Sequence, residues 1–125
     1  MSLTITITTK EKLPNLPFKK MAERVLGKKY DLSLTIIDET EIKRLNKIYR
    51  SKNSPTDILS FPLNEKSGEI FLCLPAAKNQ SAKFDRNFAN FIGFLFIHGL
   101  MHLKGFDHSS TMESNEQTIR KEFSI

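Results

Sequence analysis

The chain has 125 residues, of which 39% are hydrophobic and 26% charged, and its formal net charge is +5. This composition is typical of one globular domain spanning residues 1–125 and excludes a disordered chain. The longest apolar stretch is too short to cross a bilayer, so we expect no membrane partner. The N-terminus lacks the pattern of a secretory signal, and one cysteine allows no internal disulfide. We therefore expect a cytoplasmic protein.

The first third of the chain predicts strand, helix and strand. Residues 3–8 alternate apolar and polar side chains, which indicates a half-buried strand. Residues 18–26 place apolar side chains at helical spacing, so we expect an amphipathic helix that ends near Gly27. Residues 32–37 predict the second strand.

The next predicted helix begins near Thr40, which we expect to cap it. Ile42, Leu45 and Tyr49 recur at helical spacing and should form its buried stripe. The polar residues of the helix then lie on its opposite, solvent-exposed face.

The whole net charge is concentrated in residues 43–52, KRLNKIYRSK, which contain five basic residues and no acidic one. The rest of the chain is balanced, with 14 basic and 14 acidic residues. Such a run is often only a solvated face, but concentration of all the net charge favours a phosphate-bearing partner. Lys47, Arg50 and Lys52 are the candidate contacts with such a partner.

Two further strands and three helices complete the prediction. The strands are residues 56–61, stopped by Pro62, and residues 69–74, with Cys73 as a small buried side chain. The helices are residues 75–84, residues 88–103 capped by Asn87 and buried on most of their surface, and residues 111–123. The chain therefore predicts an α+β fold of about four strands and about five helices.

All three histidines lie in residues 98–108, HGLMHLKGFDH. His98 and His102 are four residues apart, so both project from one face of a helix and can reach one ion. Gly105 is expected to end that helix with a positive φ, and the following turn to bring His108 back toward the pair. Three imidazoles with an open fourth position are the ligand set of a catalytic Zn²⁺, although nickel, copper and iron also suit them.

The same stretch nearly matches the zinc-peptidase pattern H-E-x-x-H-x-x-G-x-x-H. Gly99 stands where that pattern has the glutamate that acts as general base, which disfavours a peptidase. A glycine within a helix costs about 1 kcal/mol relative to alanine. We expect Gly99 to allow close approach of substrate or of neighbouring backbone.

Three segments together carry a family resemblance. The segment HGLMHLKGFDH (98–108) satisfies every fixed position of the pattern H-G-x-x-H-L-x-G-[YF]-D-H, and LNKIYRSKNSPTDILSFP (45–62) and GEIFLC (68–73) agree with two further family segments. The sequence resembles the YbeY family of bacterial endoribonucleases, also described as rRNA maturation factors. The segment after His108 is shorter than the family pattern.

The resemblance implies a small mixed sheet flanked by helices, with a metal cleft that holds one zinc ion on His98, His102 and His108. It implies that Arg50 is the arginine tied to ribonuclease activity and that the substrate is single-stranded RNA, which Lys47 and Lys52 would contact without reading its bases. The implied role is rRNA processing, including 16S rRNA 3′-end maturation, and ribosome quality control. Expected partners are rRNA and the ribosome or small-subunit assembly proteins, with no nucleotide cofactor. We assign no chemistry to Asp57 or Ser60.

Two other functions stay open. The protein could be a ribosome-assembly factor that binds RNA and holds a structural metal, in which case the basic segment matters and the histidines serve only folding. A zinc-dependent hydrolase resembling a peptidase is the weaker alternative, because of Gly99.

Overall fold

The computed structural model describes residues 1–52, 56–106 and 109–125. Within these ranges four strands, five α-helices and one short 3₁₀ helix form a single α+β domain, as the sequence predicted. In chain order the elements are β1 (Ser2–Ile7), α1 (Phe18–Leu26), β2 (Asp31–Ile36), α2 (Glu39–Arg50), β3 (Ile58–Asn64), β4 (Ser67–Leu72), α3 (Leu74–Ser81), the 3₁₀ helix (Ala82–Phe84), α4 (Phe88–Lys104) and α5 (Ser110–Glu122).

The strands form one mixed sheet in the order β1-β2-β4-β3. β1, β2 and β4 are parallel, whereas β3 pairs antiparallel with β4. Only Glu65 and Lys66 separate β3 from β4, and a connection this short is possible between antiparallel strands but not between parallel ones. The mixed sheet that the resemblance implied is confirmed.

The main core lies between one face of the sheet and the helices α1 and α4. Alternate residues of β2 and β4, among them Leu34, Ile36 and Ile70, are fully buried against these helices. α4 is buried over most of its length, as its apolar surface predicted. None of the helices among the described residues is both long and apolar enough to cross a membrane. Most of the buried residues of α4 belong to the main core.

α2 covers a second, smaller core on the opposite face of the sheet. Its Ile42 and Leu45 are buried, as predicted, and pack near Leu59 of β3. The prediction for Tyr49 was wrong, since this side chain is 65% exposed. Asn46 is buried instead, with 3% of its surface exposed. The centroid of the Tyr49 ring lies 5.2 Å from that of the Phe61 ring at the edge of the sheet.

The helix caps agree with the sequence in one case and differ in another. Asn87 caps α4 as predicted, because its side chain accepts a hydrogen bond of 2.8 Å from the backbone N–H of Asn90. α2 is capped by Asp38 and not by Thr40, since the Asp38 side chain accepts a hydrogen bond of 2.8 Å from Glu41 N–H. Both residue types can cap a helix, and the end of β2 decides which one lies at the turn.

β3 continues past Pro62, where we expected it to stop. Pro62 pairs with Gly68 in the register of the sheet, and a bulge follows before Asn64. Proline lacks the N–H that a central strand needs, but an edge strand tolerates it, and β3 lies at the edge. The chain between α2 and β3 includes residues 53–55, which lie outside the described residues.

The segment after β4 turns into a helix sooner than predicted. Leu74, which we expected to end the strand, begins α3, and Pro75 lies in its first turn, where proline is tolerated. The predicted helix 75–84 is divided, since α3 ends at Ser81 and the 3₁₀ helix follows. Cys73 is fully buried, as predicted, and burial raises the pKa of its thiol.

Candidate metal and RNA site

His98 and His102 lie on one face of α4, with their rings turned toward each other. Their Nε2 atoms are 3.1 Å apart, and the ring planes are perpendicular. The helix brings the two rings together because residues four apart in sequence are neighbours on its surface.

The turn that ends α4 orients His102. Gly105 adopts φ 105° at the C-cap, in the left-handed region that glycine enters without a steric penalty, so the positive φ predicted at this position is confirmed. The carbonyl of Phe106 then accepts a hydrogen bond of 3.1 Å from His102 Nδ1. Because a carbonyl can only accept, the proton lies on Nδ1, and Nε2 presents its lone pair.

Glu116 of α5 orients His98 in the same way. This carboxylate is 2% exposed, and its Oε1 lies 2.6 Å from His98 Nδ1. Its other oxygen accepts from Arg120 at 3.2 Å, and Arg120 also contacts Glu113 at 3.3 Å. The paired carboxylate holds a proton on His98 Nδ1 and turns the Nε2 edge of the ring toward His102.

The two histidines fit a metal ion. A tetrahedral Zn²⁺ with Zn–N bonds of 2.0–2.1 Å requires two imidazole nitrogens about 3.3 Å apart, close to the 3.1 Å between the Nε2 atoms. A hydrogen bond from each Nδ1 to an oxygen is the usual arrangement of metal-binding histidines. The donors at this point are therefore those that divalent zinc prefers.

The predicted third ligand, His108, and its neighbour Asp107 lie outside the described residues. Within residues 1–52, 56–106 and 109–125, no three His, Cys, Asp or Glu side chains are arranged to hold a metal ion. The described part of the chain thus supplies two of the three predicted ligands.

Both histidines line a cleft of about 630 Å³, a size typical of ligand sites. Arg50, the last residue of α2, is exposed and lines the same cleft. Ser51 ends the helix in the left-handed conformation, with φ 55°. The prediction that placed Arg50 and the histidines in one site is consistent with this position.

Lys47 and Lys52 are exposed but do not line the cleft among the described residues. Lys47 lies one turn before Arg50 on α2, and Lys52 lies two residues after it. Both add positive charge to the exposed segment that contains Arg50.

Two residues to which the sequence assigned no chemistry also line the cleft: Asp57 and Ser60. Burial raises the pKa of the Asp57 carboxyl, and this effect outweighs the backbone N–H groups and the charge of His98, which act in the opposite direction. The site therefore contains a carboxyl group whose charged form is disfavoured by desolvation.

Gly99 lies where α4 packs against the sheet. A Cβ atom at this position would lie 2.8 Å from Ser60 Oγ, 2.9 Å from Ile58 Cδ1 and 3.3 Å from Ile70 Cδ1. We expected close approach of substrate or of neighbouring backbone, but the atoms that come close are side chains of β3 and β4. A glutamate here would begin within packed side chains, which adds to the argument against a peptidase.

The sequence did not indicate two residues of this site, Glu116 and Phe84. Glu116 lies on α5 and Phe84 on the 3₁₀ helix, so the periodicity of α4 could not connect either residue with the histidines. One signal was available for Glu116. It is an acidic residue at helical spacing from Met112 and Ile119 on the buried face of α5, where a carboxylate needs a partner.

The comparisons with known proteins agree with this architecture. The family model described as Endoribonuclease YbeY matches residues 4–124. A curated relative named Endoribonuclease YbeY from Halalkalibacterium halodurans is 33% identical, with 84% of this chain and 74% of the relative covered. One of the same name from Buchnera aphidicola is 37% identical, with 80% and 71% covered.

A solved structure is also similar. The solution structure of TM1509 from Thermotoga maritima superposes with a TM-score of 0.68 at 28% identity, and the match covers 97% of this chain and 88% of that one. The family match over nearly the whole sequence and the shared fold lead to one conclusion: the chain belongs to the endoribonuclease YbeY family.

Proposed function

We propose that the chain is a zinc-dependent endoribonuclease that cuts single-stranded RNA and holds one zinc ion on His98, His102 and His108. The observation that carries the proposal is the convergence of His98 Nε2 and His102 Nε2 at 3.1 Å in a cleft that Arg50 also lines. The names of the relatives support the nuclease activity.

The residues of the cleft suit phosphodiester hydrolysis. Zinc, when bound, would supply Lewis-acid chemistry and lower the pKa of water toward about 7. The Arg50 guanidinium can donate two parallel hydrogen bonds to a phosphate and stabilise the charge that develops in the transition state. Glu116 and the Phe106 carbonyl keep both imidazoles in the tautomer that binds a metal.

In the cell, we propose that the enzyme acts in the cytoplasm on rRNA, including the 3′ end of 16S rRNA, and in ribosome quality control. Ribosomal or small-subunit assembly proteins would be its partners, and no nucleotide cofactor is needed. The family membership and the basic segment of α2 support this role.

Metal content and cleavage should be measured on the same preparation. We expect about one zinc per chain, cleavage of a single-stranded RNA oligonucleotide, and loss of cleavage after chelation that zinc restores. His98→Ala should abolish cleavage while the protein stays folded. If His98→Ala cuts normally, the metal mechanism is wrong. If no RNA is cut but RNA binds independently of metal, the protein is a binding factor.

Arg50→Lys tests the second part of the site. The substitution keeps the charge but removes the planar pair of donors, so we expect kcat to fall at least about tenfold, equivalent to about 1.4 kcal/mol of transition-state stabilisation. RNA affinity should change little. Undiminished cleavage would remove Arg50 from the mechanism.

A further inference from the structure

Part of the cleft lining is a cluster of aromatic side chains. Phe84, Phe91 and Phe94 all line it, with ring centroids between 5.2 and 5.7 Å apart. Phe91 is buried, whereas Phe84 is 51% exposed. The cluster thus presents one open phenyl ring to the same cleft that contains the two histidines.

Ring contacts and backbone hydrogen bonds fix the position of Phe84. It packs on Phe91 and Phe94, and Asp85 follows it in the left-handed conformation, with φ 53°. The N–H of Asp85 donates to Ala82 O at 3.2 Å, and the N–H of Arg86 donates to Ser81 O at 3.1 Å. A rigid aromatic surface of this kind loses little conformational entropy when a planar ligand stacks on it.

Arginines lie close to the aromatic cluster and offset the carboxylates near it. The guanidinium of Arg86 lies 4.6 Å from the centre of the Phe94 ring, and that of Arg120 lies 5.1 Å from it. The carboxylates Glu113 and Glu116 of the cleft lining are paired with Arg120. Arg50 adds a further cation to the cleft lining.

We propose that Phe84 is a stacking subsite for a nucleobase of the single-stranded RNA substrate, next to the phosphate that is cut. The inference rests on the proposed function and adds a residue that binds the base where Arg50 binds the phosphate. A single exposed apolar side chain needs no function. An open ring within a charged nuclease cleft, however, offers what a base requires, since bases stack on aromatic side chains irrespective of sequence.

Phe84 also belongs to the lining of a second cavity. This cavity is lined by Phe84, Asp85, Arg86, Asn87 and Asn90, with a volume of about 420 Å³. Because Phe84 borders both cavities, we expect an RNA strand stacked on its ring to extend from the cleft into this polar pocket.

The experiment measures binding separately from cleavage. Chelator-treated protein is titrated into a fluorescent single-stranded RNA oligonucleotide, and the dissociation constant of Phe84→Ala is compared with that of the unchanged protein. We expect a rise of roughly 5-fold to 150-fold, the range for loss of one base–aromatic stack. Phe84→Trp keeps an aromatic surface and should retain affinity. Leu63→Ala removes a side chain of similar exposure, 59%, outside the cleft lining and should have no effect.

RNA oligonucleotides with one abasic position, moved along the strand, identify the stack. At one position the unchanged protein should lose about as much affinity as Phe84→Ala loses with intact RNA, and Phe84→Ala should lose nothing further there. Additive losses at every position, or equal affinity of Phe84→Ala and unchanged protein, would overturn the subsite. Failure of the unchanged protein to bind RNA would overturn it together with the proposed function, whereas binding without cleavage would overturn the proposed function alone.

Discussion

Glu116 shows how one buried side chain can determine the chemistry of another. It accepts a hydrogen bond from His98 and is itself paired with Arg120. A carboxylate with 2% exposure is costly unless it is paired, so its position depends on both contacts. The ring of His98 is thereby oriented by a residue of another helix.

We expect Glu116→Ala to weaken zinc binding by about 10-fold to 100-fold, the usual effect of losing the partner of a metal-binding histidine. Competition with a chromophoric chelator measures this affinity without reference to activity. Glu116→Gln can still accept from His98 but no longer pairs with Arg120 as an anion, so its loss should be smaller.

Glu122→Gln is the matched control, because Glu122 is an exposed carboxylate on the same helix that contacts Arg24. It should leave zinc affinity unchanged. If Glu116→Ala is folded and binds zinc as tightly as the unchanged protein, Glu116 has no part in orienting the ligand.

At the scale of elements, α2 connects the basic surface with the cleft. Its N-terminus is held by Asp38, and its last residue is Arg50. Ile42 and Leu45 fix the rotation of the helix about its axis by packing against the sheet. The position of Arg50 thus depends on a cap and an apolar stripe that lie up to three turns away.

Asp38→Ala should lower the free energy of unfolding by about 1 kcal/mol, because the N–H of Glu41 loses its acceptor. Thr40→Ala, the matched change at the residue that the sequence favoured, should alter it by less than about 0.5 kcal/mol. Urea denaturation of the two variants measures both values. A larger effect at Thr40 than at Asp38 would contradict the observed cap.

For the whole molecule, the charge is asymmetric. The net charge of +5 equals the charge of residues 43–52, and these residues lie on α2 and just after it, beside the cleft. The electrostatic field of this segment therefore attracts a polyanion to the end of α2, whereas β1 has no charged side chain and attracts none. This is an argument about association and affinity, not about the fold.

The logarithm of the association constant for RNA should fall linearly with the logarithm of the salt concentration, with a slope of about −0.7 for each phosphate contacted on a single strand. With Lys47, Arg50 and Lys52 each contacting a phosphate, we expect a slope near −2. Lys47→Gln combined with Lys52→Gln should reduce the magnitude of this slope by about 1.4.

Lys28→Gln combined with Lys29→Gln removes the same charge from an exposed turn before β2 and should leave the slope nearly unchanged. Equal effects of the two double variants would mean that net charge, and not contact by the basic segment, determines affinity.

The sequence by itself determined the order of elements, the buried character of α4 and the pairing of His98 with His102. These properties are local, since apolar periodicity and a spacing of four residues act within one element. Only the tertiary structure decided that Glu116 orients His98, that Phe84, Asp57 and Ser60 share the cleft, and that Tyr49 lies at the surface. The cleft arrangements join residues far apart in the chain because α4 packs between the sheet and α5, and the exposure of Tyr49 follows from how α2 packs on the opposite face of the sheet. No local pattern encodes either packing.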